Sequence, residues 1–220
     1  MSKYKTEPHC HTNESSSCGK IDAKELVRAY IDAGYKTMVI TDHYGFRHIG
    51  KHGDVDDVQH LLLGYREAKK AADGKINVIL GMEISLTQHA ANDYLVYGDI
   101  ESVLTANPDM YNFDLDEFCE FAHNNNLVVY QAHPFRNNIT VIDPTPLDGI
   151  EVFNSHPRHD SRNNIASAWA QNFGKKAISG SDTHQIQDIG RSGIRTDTEI
   201  KTADDLLAVL SGEEYELILI

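Results

Sequence analysis

His9 and His11 stand one residue apart in HCHT, and the same kinds of side chain recur in TDHYG (Asp42, His43), GMEIS (Glu83), AHPFR (His133) and GSDTH (Asp182, His184). Neutral imidazoles and carboxylates are the usual donors to Zn²⁺, Mn²⁺ and Fe²⁺, and a carboxylate can bridge two ions. In an extended segment residues i and i+2 point the same way, so His9 and His11 can face one centre while Cys10 points away. Asp182 and His184 repeat the device. A donor set of this size exceeds what one ion needs, so the expectation is two or three divalent ions, Zn, Mn or Fe.

The elements that must position these donors are legible around them. Brief β-branched or apolar runs, too short for helices, are YKTEP, KTMVIT, INVILGM, DYLVYG, LVVYQ, GIEVF and KKAISG. Between them lie helices marked by their ends: Asp22 to Gly34, Asp114 into the Asn-rich exit, Asp160 or Ser161 to Gly174, and Thr202 to Gly212. Strands alternating with helices predict parallel pairing, hence an α/β sheet or barrel, with ligands at the carboxyl ends of the strands. Each donor segment follows one of the runs, so the donors share one rim. On this reading Asp99 follows the fourth run, and Asn154 and His156 follow the sixth.

Composition narrows the function classes. A chain of 220 residues with 40% hydrophobic content can bury one sizeable core, so residues 1–220 are expected to form one domain. A net charge of −13 disfavours gripping long nucleic acid and favours a small substrate. Three cysteines without a CxxC argue against a disulfide framework and for a reducing, cytoplasmic setting. No apolar run approaches the roughly 18 residues of a membrane span. The oligomeric state is not readable.

In order and spacing HCH, TDH, GME, AHP and GSDTH resemble the PHP family, named for polymerase-associated and histidinol-phosphatase domains. The resemblance runs from about His9 to His184. It implies a distorted seven-stranded (β/α) barrel, similar to a TIM barrel, with a two- or three-metal centre that hydrolyses phosphate esters. The ligands it implies are His9, His11, His43, Glu83, His133, Asp182 and His184, with Glu83 bridging two ions. The chain departs from the family in its first loop, TNESSSCGK, where either Cys18 or Glu14 stands in for the usual Asp or His or the site loses a ligand. It also departs after the fourth strand, where only Asp99 replaces a frequent His, and near the sixth, where Asn154 and His156 occur.

Substrate phosphate needs cations besides the metals, because a guanidinium binds phosphate bidentately. Arg136, close behind His133, is the first choice, and Arg158, Arg191 and Arg195 follow. Asp182, His184 and Arg136 form the expected catalytic set, acting on a phosphomonoester or a small nucleotide-type phosphodiester through a metal-activated hydroxide. Two alternatives stand beside this: a metal-dependent amidohydrolase, which would need a strand-end lysine bridge, and a non-catalytic metal-binding or regulatory barrel. Asp42 either orients His43 or caps its turn. His48, His52, His60, His89, His123 and His159 read as solvated, with HIGKHGD a lip over the site. The C-terminal EEYELILI reads as an extra strand or an interface tail.

Overall fold

The computed structural model describes residues 3–212 and 214–220. In chain order its elements are β1 (Tyr4–Cys10), α1 (Ala23–Asp32), β2 (Thr37–Ile40), β3 (His43–Gly45), α2 (Asp57–Ala72), β4 (Asn77–Ser85), β5 (Tyr94–Tyr97) and α3 (Ile100–Ala106). There follow α4 (Leu115–Asn124), β6 (Val128–Gln131), β7 (Gly149–Asn154), α5 (Asn163–Asn172), β8 (Lys176–Gly180), β9 (Ser192–Thr196), α6 (Ala203–Ser211) and β10 (Glu216–Leu219).

Caps fix the helix starts. Asp22 accepts a hydrogen bond from Glu25 N at 2.7 Å, and Asp114 with Glu117, and Thr202 with Asp205, form reciprocal capping boxes. The helix expected from Asp160 or Ser161 starts at Asn163 instead, after Arg162 in a left-handed conformation.

The expected runs all form strands, and β3, β9 and β10 are additions. The sheet follows the order β10-β9-β1-β2-β4-β5-β6-β7-β8, a path of nine strands with β3 attached to β4. It is nearly closed. Near its upper rim, the end toward which β1 runs, Asp182 N donates to His9 O and His11 N donates to Thr183 O, so the chain beyond β8 joins the end of β1. Lower down, the antiparallel pair β9 and β10 fills the gap against Tyr4–Thr6. This nine-strand path replaces the expectation of seven alternating units. EEYELILI supplies β10, and its first residue, Glu213, lies outside the described residues.

Parallel pairing holds for β1 with β2, β2 with β4, β6 with β7 and β7 with β8, but β5 runs antiparallel to both β4 and β6. The start of β5 therefore lies at the rim where its antiparallel neighbours β4 and β6 end.

Alternation along the strands separates two environments. Met38 and Ile40 face the helices while Val39 faces inward; Leu80, Met82 and Ile84 pack outward while Ile79 joins Leu95, Tyr97, Tyr130 and Ile178 inside. Leu206, Leu207 and Leu210 of α6 close the lower end of this interior cluster, and Tyr130 Oη donates to Leu210 O. The inward sequence then changes character toward the upper rim: Ile79, Gly81, Glu83 on β4, and Ile178, Gly180, Asp182 through β8. A Cβ at Gly81 would lie 2.9 Å from Val39 Cγ1, and one at Gly180 would lie 2.7 Å from His9 Cβ. Apolar side chains thus plug the barrel, glycines make a narrow middle layer, and carboxylates stand above it. No helix among the described residues is long and apolar enough to cross a membrane.

Candidate metal centre

His9, His11, Glu83, His133 and Asp182 are buried at the upper rim, with His43 and His184 partly exposed beside them. His9 Nε2 and His11 Nε2 lie 3.2 Å apart, Glu83 Oε2 lies 3.5 Å and 3.3 Å from them, and Asp182 Oδ1 lies 3.6 Å and 3.2 Å from the same two nitrogens. His43 Nδ1 is 3.0 Å from Glu83 Oε2, and His133 Nε2 is 3.0 Å from Glu83 Oε1. Overlapping groups with donor atoms within 4.8 Å are His9–His11–Glu83, His11–His43–His184, His156–Asp182–His184 and His43–Glu83–Asp93.

The donor set fits divalent ions. Bonds of about 2.1 Å to one ion put neighbouring donors roughly 3–3.5 Å apart, which is the spacing seen. His9 Nδ1–H donates to Glu151 Oε1 at 2.8 Å, which leaves Nε2, near His11 and the carboxylates, as the nitrogen that would give up its proton to an ion. His184 Nδ1–H donates to the Asp182 carbonyl at 2.6 Å, which likewise frees Nε2. Glu83 Oε2 and His43 Nδ1, although 3.0 Å apart, make no hydrogen bond with each other or with anything else. Two buried polar atoms this close without a well-aligned hydrogen bond are costly to leave so, and a cation would satisfy both.

Electrostatics follow the same pattern. Burial opposes protonation of His9, but Glu151, Glu83 and Asp182 outweigh it and hold it well above the usual histidine range. Burial and His43 oppose protonation of His11, yet Asp182 and Glu83 carry it up to about 9. Burial likewise fails to neutralise Glu83 and Asp182, which the surrounding imidazoles hold well below the carboxylate range. This is a site organised to keep carboxylates ionised in a dry place.

Backbone strain accompanies it. His133 has φ 29° and Asp182 φ 51°, both in the left-handed region that non-glycine residues avoid.

The other expected residues divide. Cys18 lines the cleft and faces His184 and His43; burial pushes its thiol up, but those imidazoles bring it down to about 4. Glu14 is turned away, its carboxylate accepting from Ala23 N at 3.0 Å and 3.1 Å at the start of α1. Asp99 lies at the lower end of the barrel, where it caps α3 through Ser102 N; the expectation that it reaches the rim fails because β5 is reversed. His156 joins Asp182 and His184, and Arg158 Nη2 donates to its Nε2.

Arg136 lines the cleft with Nη1 3.9 Å from Asp182 Oδ2 and Nη2 2.9 Å from His159. Arg158 instead makes a two-pronged pair with Asp188, at 2.8 Å and 2.6 Å, which occupies the guanidinium expected for phosphate. Arg191 is exposed, with its carbonyl bonded to Ile220 N and its side chain outside the cleft lining, and Arg195 sits across from Lys5 and Glu216 on β9.

Asp42 is neither a ligand nor the brace of His43. Its oxygens accept from Thr12 N, Thr12 Oγ1 and Ser16 Oγ, tying down the loop that follows His11. Among the histidines read as solvated, His48 instead lines the cleft and stacks on His43 with centroids 4.5 Å apart.

Two further residues belong to the site. Glu151 holds His9 and also accepts from His133 N and Asn154 Nδ2. Asp93 precedes β5 and pairs with Arg47 beside Glu83 and His43. The signal for Glu151 was a lone carboxylate inside the apolar run GIEVF; Asp93 required knowing the polarity of β5. The cleft above the cluster encloses about 420 Å³ and is also lined by Lys51, Asn137, Asn138 and Ile139.

The comparisons with known proteins agree with this geometry. The PHP domain family model matches residues 7–208, and the chain belongs to that family. Over 101 residues, 46% of this chain, it is 32% identical to the PolC-type DNA polymerase III of Streptococcus pneumoniae, of which the match spans only 6%. Among solved structures, PsfC from Pseudomonas syringae superposes with TM-score 0.74 at 16% identity, covering 100% of this chain and 93% of PsfC. A two-domain protein from Bacteroides vulgatus, described as containing a predicted PHP-like metal-dependent phosphoesterase, gives TM-score 0.70 at 16% identity over 98% of this chain and 64% of that one. At these identities the likeness is one of fold.

Proposed function

We propose that this chain, acting as one domain over residues 1–220, is a metal-dependent phosphoesterase that hydrolyses a phosphomonoester or a small nucleotide-type phosphodiester. The observation that carries this reading is Glu83, whose two oxygens lie within 3.5 Å of His9, His11, His43 and His133. Membership of the PHP family supports a metal-dependent hydrolase.

His9, His11, His43, Glu83, His133, Asp182 and His184 would hold two or three divalent ions, Zn, Mn or Fe. Such ions, when bound, lower the pKa of water to near neutrality and neutralise charge building on phosphoryl oxygens. The chain's own residues do the rest. Glu151 fixes the His9 tautomer. Arg136, at the cleft edge and 3.9 Å from Asp182, is placed to grip a non-bridging phosphate oxygen. Asp182 and His184, beside His11, would orient the attacking water. The buried walls exclude other water, which strengthens each of these interactions.

The cleft of about 420 Å³ suits a small substrate, and the net charge of −13 opposes long nucleic acid. No lysine is buried among the described donor residues, so the bridge on which the amidohydrolase alternative depends has no counterpart. The test is a panel of aryl phosphates, phosphodiesters and cyclic amides offered to the metal-loaded chain. Phosphate-ester turnover supports the proposal, and amide turnover without phosphate-ester cleavage rejects it.

A further inference from the structure

The loop between His11 and α1 is wound onto itself and stitched to both sides of the centre. Asp42 accepts from Thr12 N at 2.8 Å and Ser16 Oγ at 2.6 Å, Ser16 N donates to Thr12 O, and Gly19 N donates to Ser16 O. A Cβ at Gly19 would sit 2.6 Å from Thr12 O, so only glycine permits that fold-back. On one side Ser16 Oγ accepts from His43 N at 3.1 Å; on the other Lys20 N donates to His184 O at 2.9 Å. Cys18, midway along the chain between those two anchors, lines the cleft together with His43 and His184.

What lies across from it is a set of imidazoles. His11, His43 and His184 bring donor atoms within 4.8 Å of one another, with ring centroids 4.5 Å and 4.8 Å from His11. Glu83, 1% exposed, turns its unpartnered Oε2 into the same space, 3.0 Å from His43 Nδ1. The other nearby thiol is spoken for: Cys10 Sγ faces the opposite side of β1 and donates to Val39 O at 3.2 Å.

We infer that Cys18 is a thiolate ligand of the ion held by His11, His43 and His184, and that it biases this position toward zinc or ferrous iron over manganese. Sulfur is the soft donor among otherwise nitrogen and oxygen ligands, and one thiolate with imidazoles is a set that zinc and iron favour. The inference rests on the proposed ion binding and adds the identity of one donor and its consequence for metal choice.

The test is a cobalt(II) titration of the metal-free chain followed by absorption spectroscopy. Wild type and Cys119→Ser are expected to show a thiolate-to-cobalt charge-transfer band in the near ultraviolet together with the visible bands of bound cobalt. Cys18→Ser keeps the visible bands and loses the charge-transfer band. Visible bands without charge transfer in wild type, or a charge-transfer band that survives Cys18→Ser, overturn the inference and leave the ion-binding reading standing. Absence of any cobalt band in wild type overturns both. As a second variant, Cys18→Asp replaces sulfur with a hard oxygen donor. It is expected to retain the ion count and to shift the zinc-to-manganese affinity ratio toward manganese by tenfold or more; an unchanged ratio in folded protein also overturns the inference.

Discussion

Glu151 Oε1 accepts the Nδ1 proton of His9 at 2.8 Å, across 142 residues of chain and with both side chains fully buried. The same carboxylate accepts from His133 N at 2.9 Å and Asn154 Nδ2 at 3.0 Å, so it braces two proposed ligands at once. In Glu151→Gln an amide NH₂ must face one of these donors. The expected result is a 10–100-fold loss of metal affinity with secondary structure retained, checked by competition against a chelating dye. Unchanged affinity would show that His9 needs no such brace.

Gly180 sits directly beneath the donor layer, where a Cβ would run into Glu151 Oε1 and His9 Cβ. Gly64 on α2 has a different neighbour, since a Cβ there would strike Thr12 Oγ1 and Asp42 Oδ2. Each change to alanine overpacks a rigid contact and should cost about 1–3 kcal/mol in chemical denaturation. Metal affinity separates them: Gly180→Ala displaces His9 and weakens binding, whereas Gly64→Ala acts through the first loop. Equal stability of Gly180→Ala and wild type would contradict the layered interior.

The polarity of β5 gives a third prediction. Asp93, at its start, stands by Glu83 and His43, whereas Asp99, beyond its end, caps α3 at the far side of the barrel. Asp93→Asn is expected to lower phosphate-ester turnover tenfold or more. Asp99→Asn retains a capping side chain and leaves turnover unchanged. Steady-state kinetics on the pair decides, and the reverse pattern would mean that the strand runs the other way.

Protons and ions compete for the same nitrogens. His11, carried up to about 9, is protonated at neutral pH in the metal-free chain and must lose its proton to bind an ion. Ion binding should therefore release protons near pH 7 and tighten as pH rises toward about 9, which calorimetry in buffers of different ionisation enthalpy can read. The sign for stability follows from linkage. A histidine whose folded pKa is raised contributes stability that is complete below the unfolded value of about 6.5 and lost as pH rises through about 9. Glu7, pushed by burial from 4.5 up to about 7, acts in the same direction at lower pH. The Tm of the metal-free chain is expected to fall between pH 6.5 and 9, because the raised histidines His9, His11, His43 and His133 together outweigh Cys18, whose lowered thiol acts in the opposite direction, and a rise over that interval would contradict the assignment.

Much of this arrangement was legible in the sequence because it depends on local rules. Two-residue spacing put His9 with His11, caps marked α1, α4 and α6, and short apolar runs located the barrel strands. What escaped is what depends on partners distant in the chain. Nothing local distinguishes a parallel β5 from an antiparallel one, so Asp99 was placed at the wrong end and Asp93 was overlooked. Helix α2 carries Gly64 in its middle, unfavourable by about 1 kcal/mol relative to alanine, and that glycine makes sense only once Thr12 and Asp42 lie against it. From sequence Arg158 reads as a second choice for phosphate or, better, as one half of an ion pair, and only the fold brings up Asp188, thirty residues on, to take both of its terminal nitrogens.

The most direct measurement loads the metal-free chain with Mn²⁺, Zn²⁺ or Fe²⁺, counts bound ions by mass spectrometry of the metals, and follows phosphate release from an aryl phosphate in the same samples, for wild type and Glu83→Ala. Two or more ions per chain with turnover that rises with occupancy, both lost in Glu83→Ala, is the predicted result. Ions bound without any turnover of phosphate esters, or turnover that persists in the metal-free chain or in Glu83→Ala, would contradict it.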